Sequence, residues 1–136
     1  HAIDLLREAS PVPSAVVLAA ADPANPYGAA LPWPARADGT RHQPGRKAGA
    51  LVVLADGELT LYVERGGRTL LAFATDPDLL ASSARALADA VHAGVLGKLT
   101  VARIDGADVL GSDHALADAL AAAGFRLTPQ GLRLRR

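Results

Sequence analysis

The sequence predicts an α+β domain: a curved antiparallel sheet or a small β-barrel with two packed helices. Short apolar runs separated by tight-turn sequences occupy the middle of the chain and predict strands joined by hairpins. Two segments with helical spacing follow, at residues 76–93 and 115–123. Strands that pair first through hairpins, with helices coming later, favour an α+β arrangement over alternating α/β units.

The composition limits the classes of protein that need to be considered. The 136 residues are enough for one domain with a real core. The 14 Lys and Arg residues balance 14 Asp and Glu residues, which excludes a polybasic coat or an acidic tail as the organising feature. The absence of cysteine excludes disulfides, thiolate metal sites and a thiol nucleophile. Because no apolar run reaches the roughly 18 residues of a membrane span, we expect a soluble, cytoplasmic domain with no membrane partner.

The beginning of the chain predicts a connecting helix followed by a strand. Residues 1–9 have helical spacing, and Pro11 and Pro13 cannot continue a helix. We expect residues 1–9 to be the tail of a connecting helix, in a piece of a longer protein, and residues 10–136 to form a single C-terminal, β-barrel-like domain. The apolar run Ala15–Ala20 predicts a buried strand.

A long irregular segment runs from Asp22 to Gly49. Five residues in it precede proline and are therefore biased towards extended geometry. The segment contains Tyr27 and Trp33, two of the five aromatic residues, which we expect to pack beneath the prolines; stacking on nucleic-acid bases is the alternative. The part from Arg36 to Lys47 has no large apolar anchor, so we expect it to be mobile.

Residues 50–74 predict a three-stranded antiparallel meander. The run Leu51–Leu54 is followed by Asp56-Gly57, which is typical of a type I′ hairpin turn. Apolar and polar residues then alternate over Leu59–Glu64, the period of a half-buried strand. Gly66-Gly67 supplies a second tight turn, and Thr69–Phe73 returns as the third strand.

A helix and another strand follow the meander. Asp76 is placed to cap the helix, with Pro77 at its first position. Gly94 is expected to end this helix, and residues 99–104 predict a single strand.

The last part of the chain predicts a second helix and a hairpin. Ser112 or Asp113 is expected to cap a helix over Ala115–Ala123, which Gly124 ends. The remaining residues, 125–135, predict a basic hairpin that turns at residues 129–131.

Catalytic patterns are absent from the sequence. The four histidines have no metal-binding spacing, and Gly94–Lys98 is too short for a phosphate-binding loop. Ser112, Asp113 and His114 are the residue types of a hydrolase triad, but neighbours at a helix start point in different directions. A capped helix with a surface histidine is the simpler interpretation. We therefore predict no catalytic residue, no cofactor and no metal.

The basic residues are clustered, although the net charge is zero. A neutral chain can still present one positive face to phosphates; the alternative is that these side chains are simply solvated. The clusters lie in the irregular segment, around the second turn of the meander and on the last hairpin: Arg36, Arg41, Arg46 and Lys47; Arg65 and Arg68; and Arg126, Arg133, Arg135 and Arg136.

Several segments together resemble a known family. The proline segment joined to a Gly-Arg-Lys-Ala-Gly strand is a fairly specific combination, and the likeness continues through the second turn of the meander to the end of the chain. On these segments the sequence strongly resembles the C-terminal part of the bacterial large helicase-related (Lhr) proteins, ATP-dependent DNA helicases implicated in DNA repair. The segments are Asp22–Gly28, Leu31–Pro34, Gly45–Leu54, Tyr62–Arg68, Leu99–Ile104 and Ala123–Phe125.

The resemblance implies a noncatalytic module that helps to bind or position DNA. The C-terminal region of this family is similar to AlkZ-type DNA glycosylases, in which tandem winged helices precede a β-barrel, and the chain resembles that terminal barrel. Neither Gln43 nor Gln130 lies in the glutamine motif of those enzymes, so no catalytic residue is carried over. A barrel hairpin probes DNA in the glycosylases.

The residues that we expect to contact DNA phosphates follow from that hairpin and from the basic clusters. They are Arg46, Lys47, Arg65 and Arg68, with the turn Arg65–Arg68 as the preferred DNA-facing element. The alternative function is a structural or assembly module that packs on winged-helix domains or mediates homo-oligomerisation.

Overall fold

The computed structural model describes residues 14–34, 44–112 and 114–134. The predicted helix tail at 1–9, most of the segment 36–47 and the last two arginines lie outside these residues. Within the described ranges, the elements in chain order are β1 (Ala15–Ala19), β2 (Leu51–Ala55), β3 (Glu58–Val63), β4 (Thr69–Ala72), α1 (Pro77–His92), β5 (Leu99–Val101), β6 (Arg103–Ile104), β7 (Ala107–Asp108), α2 (Ala115–Ala122), β8 (Arg126–Thr128) and β9 (Gly131–Leu134).

The strands form two sheets. One has six strands in the order β1-β2-β3-β4-β6-β7, and the other has three in the order β5-β9-β8. All pairings are antiparallel except β4 with β6, which is parallel. The meander β2-β3-β4 and the α+β class are confirmed. The six-stranded sheet is curved and open in the described residues, so the curved sheet is observed and the closed barrel is not.

The single strand predicted over residues 99–104 is wrong, because the chain changes sheets at Ala102. β5 pairs with β9, whereas β6 pairs with β4 and β7. The N–H groups of Ala102 and Arg103 both donate to the Arg68 carbonyl, at 2.8 and 3.0 Å. This pair of hydrogen bonds attaches the crossing point to the turn between β3 and β4.

The first helix begins and ends where the sequence predicts. Asp76 is its N-cap, and its Oδ1 accepts a hydrogen bond from Asp78 N at 2.9 Å. At the other end, Gly94 has φ +78°. The N–H groups of Gly94 and Val95 donate back to Val91 and Ala90, which is a Schellman motif.

The second helix begins at Ala115, as predicted, but the prediction of Ser112 or Asp113 as its cap is wrong. His114 is the N-cap, and its Nδ1 accepts from Leu116 N at 3.0 Å. Ser112 instead supports the cap from outside, because its hydroxyl accepts from His114 N at 3.1 Å. Gly124 follows the end of the helix, as predicted, with φ +116°.

The meander is buried on both faces, so the prediction that β3 is half-buried is wrong. One face packs against α1, α2 and the small sheet and contributes Val53, Leu61 and Val63 to the main core. The other face forms a second core beneath the proline segment, which includes Tyr62 and Leu59. Both faces of β3 are buried because residues 20–33 and Ala50 cover the side that would otherwise meet solvent.

A β-bulge at Thr60 changes the phase of β3. Val53 pairs with Leu61, whereas its neighbour Leu54 pairs with Leu59, so Thr60 is the extra residue. Its hydroxyl lies 3.0 Å from the Val53 carbonyl and 2.6 Å from the Ser83 hydroxyl of α1. A buried polar contact therefore joins the helix to the bulge.

We expect Thr60→Val to lower the free energy of unfolding by about 1–2 kcal/mol, since it removes these hydrogen bonds while keeping the side-chain volume. Urea denaturation of the 136-residue chain measures the loss. Thr69→Val in β4, where the side chain is only partly buried, is the control and should change stability by less than about 0.5 kcal/mol. Equal effects of the two changes would contradict a role for the bulge.

Candidate nucleic-acid interface

The turn between β3 and β4 presents two arginines to solvent. Arg65 and Arg68 flank Gly66 and Gly67, whose φ angles are +90° and +76°. The turn is closed by two backbone hydrogen bonds, from Glu64 N to Thr69 O at 2.9 Å and from Gly67 N to Glu64 O at 2.8 Å. Both arginine side chains are exposed, and neither forms an ion pair within the described ranges.

Close packing fixes the position of this turn. A Cβ at Gly67 would lie 2.6 Å from the Cδ2 of Leu99, so a larger residue there would require the Leu99 side chain to shift. On the other side, a Cβ at Gly49 would lie 2.9 Å from the Cγ of Arg65. The aliphatic part of Arg65 therefore lies over the chain reversal before β2, and its charged end can reach solvent.

Lys47 lies near the same end of the β3–β4 hairpin. Its Nζ is 3.3 Å from the Oε2 of Glu64, and the lysine side chain is 53% exposed. Arg65 N also donates to the Oε1 of Glu64, at 3.2 Å. Because an exposed ion pair contributes little free energy, Lys47 can exchange Glu64 for another anion at small cost.

Arg46 lies elsewhere, inside the proline segment. Its Nη1 donates to the carbonyls of Asn25 and Tyr27 at 2.7 and 2.9 Å, and its Nη2 donates to Asp22 O at 3.1 Å. The guanidinium is therefore occupied by backbone carbonyls. The structure brings Lys47, Arg65 and Arg68 to one end of the hairpin and places Arg46 apart, as a support of the loop.

Asn25 is the residue of this loop that the sequence analysis missed. It is buried, with 1% exposure. Its Nδ2 donates to Ala20 O at 2.9 Å, and its Oδ1 accepts from Tyr27 N at 3.1 Å. An asparagine directly before a proline was the available signal, since such residues often hold turns through their own amide.

The two aromatic residues of the proline segment pack against the protein. Trp33 and Tyr62 meet edge to face, with ring centroids 5.8 Å apart and planes at 78°. The indole lies directly over Gly28, where a Cβ would be 2.7 Å from Trp33 Nε1. Tyr27 packs against the same second core. Packing beneath the prolines is therefore observed, and these rings are not arranged as a free stacking surface.

Tyr62 is expected to make stability depend on pH in the alkaline range. Burial raises the pKa of its hydroxyl from 10.0 to about 12, and the nearby Glu64 carboxylate acts in the same direction. Folding thus favours the protonated form: this contribution is complete below pH 10 and is lost as the pH rises towards 12. Chemical denaturation between pH 9 and pH 12 should show it, with a slope up to about 1.4 kcal/mol per pH unit.

Tyr62→Phe is the control for that titration, because it keeps the ring and removes the ionisable group. The variant also lacks the hydrogen bond from Tyr62 Oη to Gly45 O, at 3.2 Å, so we expect it to be less stable at neutral pH. Its stability should fall less steeply between pH 10 and pH 12 than that of the parent chain. The same slope in both chains would show that Tyr62 does not carry the effect.

His114 and Asp105 form a structural clamp. His114 Nε2 lies 2.9 Å from the Oδ2 of Asp105, whose Oδ1 accepts from Ala72 N at 2.8 Å. Because His114 Nδ1 accepts from a backbone N–H, the ring proton lies on Nε2 and is donated to Asp105. Both ring nitrogens of His114 are engaged in these hydrogen bonds, so the triad-like sequence around Ser112 does not provide a general base. The histidine side chain is partly buried.

The described residues contain no group of three His, Asp or Glu side chains that could hold a metal ion. Among them there is also no helix that is long and apolar enough to cross a membrane.

The fold and its basic turn define a small α+β domain with an exposed cationic hairpin. No protein-family model matches the chain. It is 56% identical over 126 residues to a Mycolicibacterium smegmatis protein named "Lhr helicase/probable uracil glycosylase", and 37% identical over 118 residues to the Escherichia coli K12 "Lhr helicase/uracil glycosylase".

These alignments cover 89% and 86% of the chain but only 8% and 7% of the relatives. The chain therefore spans a small fraction of the length of the proteins it matches. It belongs to the Lhr-type proteins as a small domain, which confirms the resemblance seen in the sequence.

Proposed function

We propose that the chain is a noncatalytic, C-terminal accessory domain of an Lhr-type ATP-dependent DNA helicase involved in DNA repair, and that it helps to bind or position DNA. The names of the two relatives support a nucleic-acid partner, since they describe a helicase and a uracil glycosylase. A role on bacterial DNA implies a cytoplasmic location.

The exposed turn Arg65–Arg68 carries this proposal. Its two guanidinium groups are free of ion pairs within the described ranges and lie on a hairpin that close packing holds in place. Guanidinium groups match phosphate oxygens in geometry and charge. Contacts of this kind position a protein on the backbone without reading base sequence. Lys47 adds a third cation, while Arg46 supports the loop behind it.

The affinity of the 136-residue chain for short DNA, both duplex and single-stranded, tests the proposal. Each phosphate contact contributes about −0.9 to the slope of log association constant against log salt concentration. At about 0.1 M salt, Arg65→Ala or Arg68→Ala should therefore each lower the association constant for duplex DNA about eightfold. Arg85→Ala, which removes the same charge from α1, is the matched control and should have little effect. Equal losses in all three variants, or none, would contradict the assignment of this turn.

An assembly role is the second candidate, in which the domain packs on winged-helix domains or on another copy of itself. Two edge strands carry exposed apolar side chains: Val16 on β1 is 49% exposed and Leu127 on β8 is 61% exposed. Edge strands with exposed apolar residues can pair with another chain. Sedimentation analysis of the parent chain and of Val16→Glu tests this role. An assembly role predicts that the parent chain self-associates and that Val16→Glu abolishes the association. A parent chain that is monomeric at all concentrations argues against a homo-oligomer.

A further inference from the structure

The hairpin β8–β9 places two arginines directly opposite each other. Arg126 pairs with Arg133 in the antiparallel register, so their side chains leave the same face of the hairpin. Like charges in this position destabilise a sheet. The turn that joins the strands is well ordered by Thr128, whose hydroxyl contacts Gly131 O at 2.9 Å and Gln130 N at 3.2 Å.

Arg133 also holds a donor that the protein does not use. Its Nε is buried and has no hydrogen-bond partner among the residues that the structure describes. A buried donor without a partner is unfavourable, so such groups are few in folded proteins. Within the described ranges, no carboxylate forms an ion pair with Arg126 or Arg133.

The two arginines line a surface pocket of about 310 Å³. Its other lining residues are Gly124, Thr128 and Leu134, and none of the five is acidic. Two arginines of like charge thus line a space whose lining residues contribute no negative charge. A small anion with several acceptor oxygens would offset the repulsion between the two positive charges.

We propose that this pocket binds a phosphate group through Arg126 and Arg133. Phosphate fits better than a carboxylate because its tetrahedral oxygens can accept from two guanidinium groups at once and its charge can balance both. The phosphate can belong to a DNA strand or to a small free molecule. The site is separate from the turn Arg65–Arg68 and does not depend on the function proposed for that turn.

Nuclear magnetic resonance of arginine Nε–H groups tests the site on the 136-residue chain. Inorganic phosphate is added in one titration and a short single-stranded oligonucleotide in another, with sodium chloride at matched ionic strength as the reference. We expect a saturable shift of the Arg133 Nε–H signal with at least one of the two phosphate probes and no saturable shift with chloride. A response to both indicates a general phosphate site, and a response to the oligonucleotide alone indicates a phosphodiester of DNA.

Variants make the result specific. Arg126→Gln leaves the Arg133 signal observable. It should raise the dissociation constant obtained from the titration at least tenfold, since it removes one charged partner of the phosphate. The double variant Arg65→Ala/Arg68→Ala should leave the titration with inorganic phosphate unchanged, which separates this site from the DNA-facing turn. No saturable shift with either probe, or an undiminished shift in a folded Arg126→Gln chain, would overturn the proposal.

Discussion

Arg46→Ala is expected to lower the free energy of unfolding by about 2–3 kcal/mol, although Arg46 was predicted from the sequence to contact DNA. Its guanidinium donates to the carbonyls of Asn25, Tyr27 and Asp22 at 2.7–3.1 Å. Hydrogen bonds from a charged donor contribute about 1.5–3 kcal/mol, and the carbonyls lose their partner when the side chain is removed. Urea denaturation of the 136-residue chain measures the loss.

Two controls separate this role from a role in binding. Arg46→Lys should not restore stability, because an ammonium group cannot reach the carbonyls with the planar fork of arginine. Lys47→Ala, which removes the neighbouring exposed charge, should change stability by less than about 1 kcal/mol. An Arg46→Ala chain of unchanged stability and strongly reduced DNA affinity would contradict the structural role assigned here.

Gly131→Ala is expected to destabilise the domain by more than about 3 kcal/mol, or to prevent folding. A Cβ at this position would lie 2.2 Å from the carbonyl oxygen of Val101, and the backbone has φ +133°. Both the clash and the backbone conformation oppose any side chain. Val101 cannot easily move aside, because it pairs with Leu132 in the small sheet.

Gly57→Ala is the matched control for that substitution. Gly57 also has a positive φ, +85°, but nothing lies within 4 Å of its hypothetical Cβ. Only the conformational penalty of about 1–2 kcal/mol applies there. Thermal or urea denaturation should therefore separate the two variants by at least about 1 kcal/mol, and equal stability losses would contradict the close approach of β9 to β5.

Local signals in the sequence were enough to predict the meander and the first helix. Asp56 and Gly57 adopt φ +51° and +85°, the positive angles that a type I′ turn requires. Asp76 caps α1 through its own carboxylate. These features depend on residues a few positions apart, and the sequence contains all of the relevant groups.

The features that the sequence could not predict depend on contacts between distant segments. The parallel pairing of β4 with β6 joins Thr69 to Arg103, and no local pattern indicates it. The bulge at Thr60 reverses which side chains of β3 face α1, and it is stabilised by Ser83 from the helix. Strict alternation in the sequence therefore predicted the strand correctly but assigned its side chains to the wrong faces of the sheet.

The same limit applies to the candidate site. A glycine turn between two arginines predicts exposure by itself, and Arg65 and Arg68 are exposed. Arg46 lies in a loop next to Lys47, so the local sequence predicts exposure for it as well. Its guanidinium instead donates to the carbonyls of Asn25 and Tyr27, which lie about 20 positions earlier in the chain. A guanidinium can donate to carbonyl oxygens as well as to phosphate oxygens, so residue type alone does not distinguish a structural support from a ligand contact.

The salt dependence of DNA binding tests the central claim most directly. The logarithm of the association constant for duplex DNA is measured against the logarithm of salt concentration for the parent chain and for Arg65→Ala/Arg68→Ala. If both guanidinium groups contact phosphates, the slope should become shallower by about 1.8 in the double variant, and Arg85→Ala should leave it unchanged. Parallel lines for the parent chain and the double variant would contradict a DNA-facing role of this turn.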